Sequence, residues 1–263
     1  MFTPMRFLLA TIISVAACHT AFPGISPKNI SERHRHASVA LIPKGHLEDV
    51  KEIISALPQS DSTVRDGYYL RTISGKDYLF RYSETTTTCA SKQDSKLTDL
   101  LEALPNARNQ EQLFEPLEYI FYEAGAADKA PTGEIQRIAM FTELKAEKEA
   151  HYRLLHDNPW PDVVKAIRRA NFRHFSIFLE EIDGHIYLFG WLEYTGSDLT
   201  ADGAENKKDP ASIRWWRETD ACQIAPADSG DGTWGGMQEL QFLDSSSTRR
   251  LDVRCRLNFH NNL

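Results

Sequence analysis

The sequence predicts an α+β protein made of two consecutive βαββαβ units, and three observations lead to this fold class. The apolar patterns of residues 37–123 follow the order strand, helix, strand, strand, helix, strand, and residues 135–244 repeat that order. The halves also match in letters, because residues 73–80 read ISGKDYLF and residues 182–189 read IDGHIYLF. A proline-containing run of small residues at 124–134 separates the two halves.

The individual elements follow from hydrophobic period and from turn residues. The first half predicts strands at 39–42, 64–73, 78–82 and 117–122, and helices at 47–57 and 95–104. The second half predicts strands at 137–142, 172–180, 185–194 and 237–243, and helices at 146–156, 161–170 and 210–219. Its first helix is expected in two pieces, because Pro159 and Pro161 interrupt it. Gly75 and Gly184 mark the hairpin turns, where the backbone needs a positive φ.

A βαββαβ unit forms an antiparallel sheet with helices on one face only, so the other face needs a cover. Two such units in one chain can cover each other. We therefore expect tandem ferredoxin-like repeats whose sheets join as an intramolecular pseudo-dimer, the arrangement called a dimeric α+β barrel when two chains build it. The alternative is two independent domains on a linker, each with an exposed apolar sheet face.

The first residues of the chain predict export. Residues 1–20 combine one early arginine with a short apolar run, which is typical of an export signal and too short for a membrane span. Residues 15–18, Val-Ala-Ala-Cys, resemble a bacterial lipobox, in which Cys18 would be lipidated; an ordinary cleaved signal is the alternative. Residues 21–36 are expected to be a tether and residues 245–263 a polar tail. The protein would then be periplasmic or a membrane-anchored lipoprotein, and only the lipid would contact the membrane.

Composition argues against nucleic acid, several disulfides and a metal. With 263 residues, 41% hydrophobic content and a net charge of -7, the chain is globular and has no dense basic face for nucleic acid. Without Cys18 three cysteines remain, so at most one disulfide can form. His34 and His36 lack further metal ligands nearby, and we expect them in the tether. No metal and no cofactor are predicted.

The segment from His151 to Pro161 holds the most unusual group of polar and aromatic residues. Tyr152 and His156 are four residues apart, so on a helix they share one face and can reach one small ligand. The prolines place His156 near the end of that helix, where a pocket can open. Histidine can give and take a proton near neutral pH, although a structural hydrogen-bonding role is the alternative.

A pair of adjacent tryptophans, Trp215 and Trp216, lies on a predicted helix. Successive helical residues point about 100° apart, so both rings cannot enter one core, and at least one is expected at a cavity or an interface. Aromatic faces suit the C–H faces of sugars. The alternative is that one ring packs under the sheet and the other seals a contact between helices.

Taken together, these motifs resemble the L-rhamnose mutarotase family over residues 135–244. The Tyr152–His156 pair, the run Asn158-Pro159-Trp160-Pro161, residues 175–179, the tryptophan pair and residues 239–242 occur in the family's order. The family pattern has histidine followed directly by asparagine, and one residue between the proline and the tryptophan. Here Asp157 is inserted after the histidine and the residue before Trp160 is missing.

The resemblance implies an enzyme, a mutarotase that interconverts the α and β anomers of a deoxyhexose, principally L-rhamnose and secondarily L-fucose. It implies that His156 is the proton donor, that Tyr152 binds the sugar and that Trp215 and Trp216 form a wall against it. Phe175 stands where the family has a sugar-contacting tyrosine. The first half lacks these motifs, so it is expected to replace the second subunit of a family homodimer.

Two alternatives to the mutarotase remain. A non-catalytic exported sugar-binding lipoprotein could use the same tryptophans. A monooxygenase or a haem-handling protein could use the same architecture, on fold analogy alone.

Overall fold

The computed structural model describes residues 33–58, 63–86, 94–105, 107, 113–126, 129–230 and 232–244. The export signal, Cys18, the tether up to residue 32 and the polar tail lie outside the described residues. Cys222 is buried as a free thiol, and Cys89 and Cys255 are outside the described ranges. Within those ranges, no helix has the length and apolar character needed to span a bilayer.

The described residues of the first half form five strands and two helices. They are β1 His34–Ile42, α1 Leu47–Ser55, β2 Thr63–Ile73, β3 Lys76–Thr85, α2 Ser95–Thr98, β4 Glu115–Pro116 and β5 Glu118–Glu123. The prediction that folding starts at Ala37 and that His34 and His36 belong to the tether is wrong, because β1 starts at His34, where it pairs with Thr85 of β3. The helix predicted at 95–104 is also too long: Glu102 exchanges two backbone hydrogen bonds with Leu41, of 3.0 and 2.9 Å, and this bridge is incompatible with a continuing helix.

The second half repeats the order and adds short elements. They are β6 Gln136–Leu144, a 3₁₀ turn Ala146–Lys148, α3 Glu149–Asp157, α4 Pro161–Arg169, β7 Phe172–Ile182, β8 His185–Tyr194, α5 Leu199–Asn206, α6 Pro210–Asp220, β9 Gln223–Ile224, β10 Gly235–Gly236 and β11 Gln238–Asp244. The predicted break between α3 and α4 is confirmed. Pro161 occupies the first turn of α4, where its missing N–H costs nothing.

Two antiparallel sheets with helices give the α+β class, as predicted. Their orders are β11-β2-β3-β1-β4 and β10-β6-β8-β7-β5. The final strand of each half is divided between the sheets: β4 pairs with β1 while β5 pairs with β7, and β10 pairs with β6 while β11 pairs with β2. Each sheet therefore contains a strand from the other half.

A large aromatic core joins the inner faces of the two sheets. Tyr82 of β3 stacks on Trp191 of β8 with ring centroids 4.0 Å apart, and Phe80 stacks on Phe189 at 5.4 Å. The indole N–H of Trp191 also donates a 2.8 Å hydrogen bond to the Tyr69 hydroxyl. These contacts bury the apolar sheet faces that would otherwise be exposed.

The outer faces of the sheets carry the helices, and here the halves differ. In the first half α1 and α2 cover an aliphatic cluster that includes Val50, Ile54 and Leu97. In the second half α3, α4 and α6 cover a cluster richer in aromatic side chains, centred on Tyr152 and Trp215. This second outer face contains the candidate site.

Candidate functional site

A cavity of about 580 Å³ lies between the second sheet and its helices. Helices α3, α4 and α6, strands β5, β7 and β9 and the segment between β9 and β10 contribute its walls. All five side chains of the predicted sugar site line it: Tyr152, His156, Phe175, Trp215 and Trp216. Their roles remain predictions, but the structure brings them to one cavity large enough for a monosaccharide.

His156 occupies the last turn of α3 and is 7% exposed. Its Nδ1 lies 2.9 Å from the Tyr152 carbonyl oxygen, so Nδ1–H donates to that carbonyl. Nε2 has no hydrogen-bond partner among the described residues and carries the lone pair of the neutral ring. Burial lowers the pKa of His156 to about 4, against smaller opposing effects of the Tyr152 carbonyl and Asp157. At neutral pH the ring is therefore uncharged and Nε2 is a proton acceptor.

Three aromatic rings hold the His156 imidazole in place. Tyr152, one helical turn earlier, stacks on it with centroids 4.1 Å apart. Trp215 and Phe121 meet it edge to face, at 5.2 and 5.4 Å. Because the ring is enclosed on several sides and its Nδ1 is bonded to backbone, the imidazole can change orientation only if its neighbours move.

The Tyr152 hydroxyl lies deep in the site. Its side chain is almost completely buried, and this burial raises the pKa of the phenol well above its usual value. The phenol therefore stays protonated over the physiological pH range. It can form hydrogen bonds, but it cannot serve as a base.

The two tryptophans differ in burial. Trp215 is buried between His156 and Trp160, whose ring it meets edge to face at 5.4 Å, whereas Trp216 is half-buried. Both line the cavity. Their helix, α6, begins at a capped end, where the Asp209 carboxylate accepts hydrogen bonds from the backbone N–H groups of Ala211 and Ser212.

Phe121 was missed by the sequence analysis, because it belongs to the first half. Strand β5 crosses to the second sheet and places Phe121 in the cavity wall, edge to face with Phe175 at 5.7 Å as well as with His156. The same strand anchors α3: the Glu118 carboxylate accepts two hydrogen bonds from Arg153, of 2.7 and 2.8 Å. The first half thus contacts the His156 helix directly.

Polar cavity residues near the end of α6 were also missed. Asp220, Gln223 and Thr233 line the cavity, and the Thr233 hydroxyl donates a 3.2 Å hydrogen bond to Asp220. Burial raises the pKa of the Asp220 carboxyl. Gln223 is the first residue of β9 and is buried, as is the free thiol of Cys222 just before it. Across the described residues there is no cluster of three or more histidine, cysteine or carboxylate side chains that could bind a metal.

Among the described residues of the first half, helix α1 does not repeat the Tyr152–His156 pair of α3. Helices α1 and α3 both contain nine residues, and their fourth and eighth positions are buried in both. In α3 these positions are Tyr152 and His156, whereas in α1 they are Val50 and Ile54. The position of the imidazole is filled there by an aliphatic side chain within a closed apolar cluster.

The cavity-bearing half is similar to a known family: residues 137–242 match the model of the L-rhamnose mutarotase family. The predicted resemblance over 135–244 is thus confirmed. The L-rhamnose mutarotase of Bacillus subtilis strain 168 is 29% identical over 83 residues, which are 32% of this chain and 75% of that protein. The L-rhamnose mutarotase of Mesorhizobium japonicum is 29% identical over 93 residues, or 35% of this chain and 83% of that protein.

Two solved structures with distant similarity also match this chain. A monooxygenase-like protein from Listeria innocua has a TM-score of 0.36 and 9% identity, with 78% of this chain and 92% of that chain covered. An anthrone oxidase-like protein has a TM-score of 0.42 and 8% identity, with coverage of 81% and 94%.

Proposed function

We propose that this protein is a sugar mutarotase that interconverts the α and β anomers of a deoxyhexose, with L-rhamnose as the preferred sugar and L-fucose as the second. The observation that carries the proposal is the His156 imidazole, which is neutral, is fixed through Nδ1 and has no partner at Nε2 among the described residues, in a cavity of monosaccharide size. The family match covers the half that contains this cavity.

Mutarotation requires one proton to leave the anomeric hydroxyl and one to reach the ring oxygen. In ring opening, Nε2 of His156 takes the proton of the anomeric hydroxyl, the O–H electron pair becomes the carbonyl bond, and the bond between the anomeric carbon and the ring oxygen breaks. The imidazolium then returns a proton to the former ring oxygen. Rotation of the aldehyde and the reverse steps give the other anomer.

One imidazole can serve both oxygens, because both are bonded to the anomeric carbon and lie close together. The family resemblance gives His156 the role of proton donor. The depressed pKa of the free protein makes it the base first and the donor second, within one exchange. No net proton is gained or lost, so the imidazole ends each exchange in its starting form.

The remaining walls suit a deoxyhexose. Trp215, Trp216 and Phe121 offer aromatic surface to the C–H faces and the methyl group, while Asp220 and Gln223 offer hydrogen-bonding groups to the hydroxyls. A sugar can thus be held by a few polar contacts between apolar faces.

We also propose the finer architecture and location. The division of β4–β5 and of β10–β11 between the two sheets supports an intramolecular equivalent of a dimeric α+β barrel, with each half in the place of one subunit. The signal-like start and the lipobox at Cys18 support export, with the site facing the periplasm or the outside. An exported mutarotase would equilibrate sugar anomers before uptake.

A non-catalytic sugar-binding lipoprotein is the second candidate, favoured by Phe175. The family has a sugar-contacting tyrosine at this position, and phenylalanine keeps the ring but loses the hydroxyl. Binding could then persist without efficient catalysis.

Anomer exchange on L-rhamnose and L-fucose, followed by NMR saturation transfer with and without protein, separates these candidates. We expect acceleration on L-rhamnose at least. Saturable sugar binding without acceleration would support the binding protein, and the absence of both would overturn the sugar assignment.

A further inference from the structure

The segment after β9, described at residues 225–230 and 232–236 and ending in β10, forms one wall of the cavity through Gly232, Thr233 and Trp234. Trp234 packs directly over Gly190 of β8: a Cβ at position 190 would lie 3.3 Å from the Trp234 ring and 2.7 Å from the Met140 side chain. The position of this wall therefore depends on what holds the segment against the sheet.

Arg71, from β2 of the first half, binds this segment at two points. Its guanidinium donates to both carboxylate oxygens of Asp228, at 2.6 and 2.7 Å, and to the carbonyl of Gly236 at 2.9 Å. Asp228 precedes Trp234 in the segment and Gly236 follows it. One side chain of the first half thus fixes the segment on both sides of the cavity tryptophan.

Glycine at position 235 makes this contact possible. A Cβ there would lie 3.3 Å from Nη1 of Arg71 and 3.1 Å from Oδ1 of Asp228, tighter than ordinary van der Waals contact. The guanidinium carbon also lies 5.0 Å from the centre of the Phe141 ring, which supports it from the sheet side. The backbone of the segment and the arginine therefore fit closely.

We propose that Arg71 is a positioning residue for the cavity: it holds the Trp234 wall in the geometry that receives the sugar, so the first half completes the site of the second. That the cavity receives a sugar rests on the proposed function, whereas the attachment of the wall rests on the contacts of Arg71 alone. Lysine cannot replace this arginine, because a single ammonium lacks the planar fork that binds both carboxylate oxygens and the carbonyl.

The test measures the exposure of Trp234 without any sugar. Acrylamide quenching of tryptophan fluorescence is compared in wild-type protein, Arg71→Ala, Asp228→Asn and the Arg71→Ala/Asp228→Asn double variant. Each is measured with and without Trp234→Phe, so that the difference reports Trp234 alone. We expect Trp234 to become more accessible in both single variants, and the double variant to be no more affected than either, because both changes break the same contact.

Anomer exchange is measured on the same proteins. Since Asp228 is 60% exposed on its side chain and the pair is partly screened, we expect KM to rise about threefold to fivefold, with kcat unchanged. A fall in kcat with unchanged KM would contradict a role in positioning the wall that receives the sugar.

The matched control is Lys76→Ala. Lys76 and Asp183 form another exposed ion pair between the halves, 2.7 Å apart, and neither residue lines the cavity. Unchanged Trp234 quenching in Arg71→Ala, or an equal increase in Lys76→Ala, would overturn the proposal. If wild-type protein shows no anomer exchange, the proposed function fails, and the quenching comparison still decides whether Arg71 holds the wall.

Discussion

Replacing His156 by glutamine should make the folded protein less sensitive to acid. Burial lowers the pKa of this imidazole from 6.5 to about 4 in the folded state, whereas the unfolded chain exposes it to water. Between these two pH values the unfolded state binds a proton that the folded state does not. The free energy of unfolding therefore falls as the pH falls from about 6.5 towards about 4.

The size of the effect follows from the width of that window. One pH unit inside it changes the free energy of unfolding by about 1.4 kcal/mol per histidine, and pH 5 lies about 1.5 units below the unfolded pKa, so His156 alone should cost about 2 kcal/mol at pH 5 relative to pH 7. Burial also lowers the pKa of His174 to about 4, so His174 adds its own acid-dependent loss of unfolding free energy. His174 is present in both proteins, and its contribution cancels in the comparison.

Urea unfolding at pH 7 and pH 5 measures this directly. From pH 7 to pH 5, the free energy of unfolding should fall by about 2 kcal/mol more in wild-type protein than in His156→Gln. Trp216→Phe is the control, because it alters the same cavity without removing a titrating group. Its free energy of unfolding should fall between pH 7 and pH 5 by as much as that of wild type. An equal fall in the free energy of unfolding in wild type and His156→Gln would refute the inference that His156 is buried as a neutral imidazole.

Three further predictions concern activity and stability. Since Nε2 of His156 must be unprotonated to act as base, the acceleration of anomer exchange, measured by saturation transfer, should persist from pH 7 to pH 5 and decline towards pH 4; a decline centred near 6.5 would contradict the depressed pKa. Phe175→Tyr should restore the family's hydroxyl and lower KM for L-rhamnose about threefold to tenfold, and an unchanged KM would show that this hydroxyl does not reach the sugar. Asp66→Asn removes the charge from a buried pair in which Arg81 donates at 2.8 and 2.7 Å, and should lower the free energy of unfolding at pH 7 by about 3 kcal/mol in urea; a loss below about 1 kcal/mol would mean that the pair is readily replaced.

Local sequence patterns predicted the parts of the site that one helix determines. The four-residue spacing of Tyr152 and His156 puts them on one face of α3, and Pro161 starts the next helix, so the histidine had to lie near a helix end. The adjacent tryptophans predicted at least one ring at a cavity or an interface, and both line the cavity.

The contributions of the first half could not be read from local patterns. Phe121 reaches His156 because β5 leaves its own sheet, and Arg71 reaches Asp228 across 157 positions of sequence. Hydrophobic period identifies a strand but not its partner. The closest signal was the predicted pair of βαββαβ units, since each unit leaves one sheet face that the other can cover.

Two helices show how tertiary contacts and capping override apolar period. The apolar spacing of residues 95–104 suits a helix, but pairing of Glu102 with Leu41 at the sheet edge ends α2 at Thr98. Helix α5 has no buried residues, so it has no apolar stripe to detect, and it begins where the Asp198 side chain accepts a hydrogen bond from the Ala201 N–H.

The most direct test of the central claim compares two histidines of α3 in anomer exchange on L-rhamnose. His156 faces the cavity, whereas His151 is half-exposed and lies 3.4 Å from Glu218 outside it. We predict that His156→Ala abolishes the acceleration measured by NMR saturation transfer while the protein stays folded, and that His151→Ala keeps it. Full acceleration in folded His156→Ala would contradict the account.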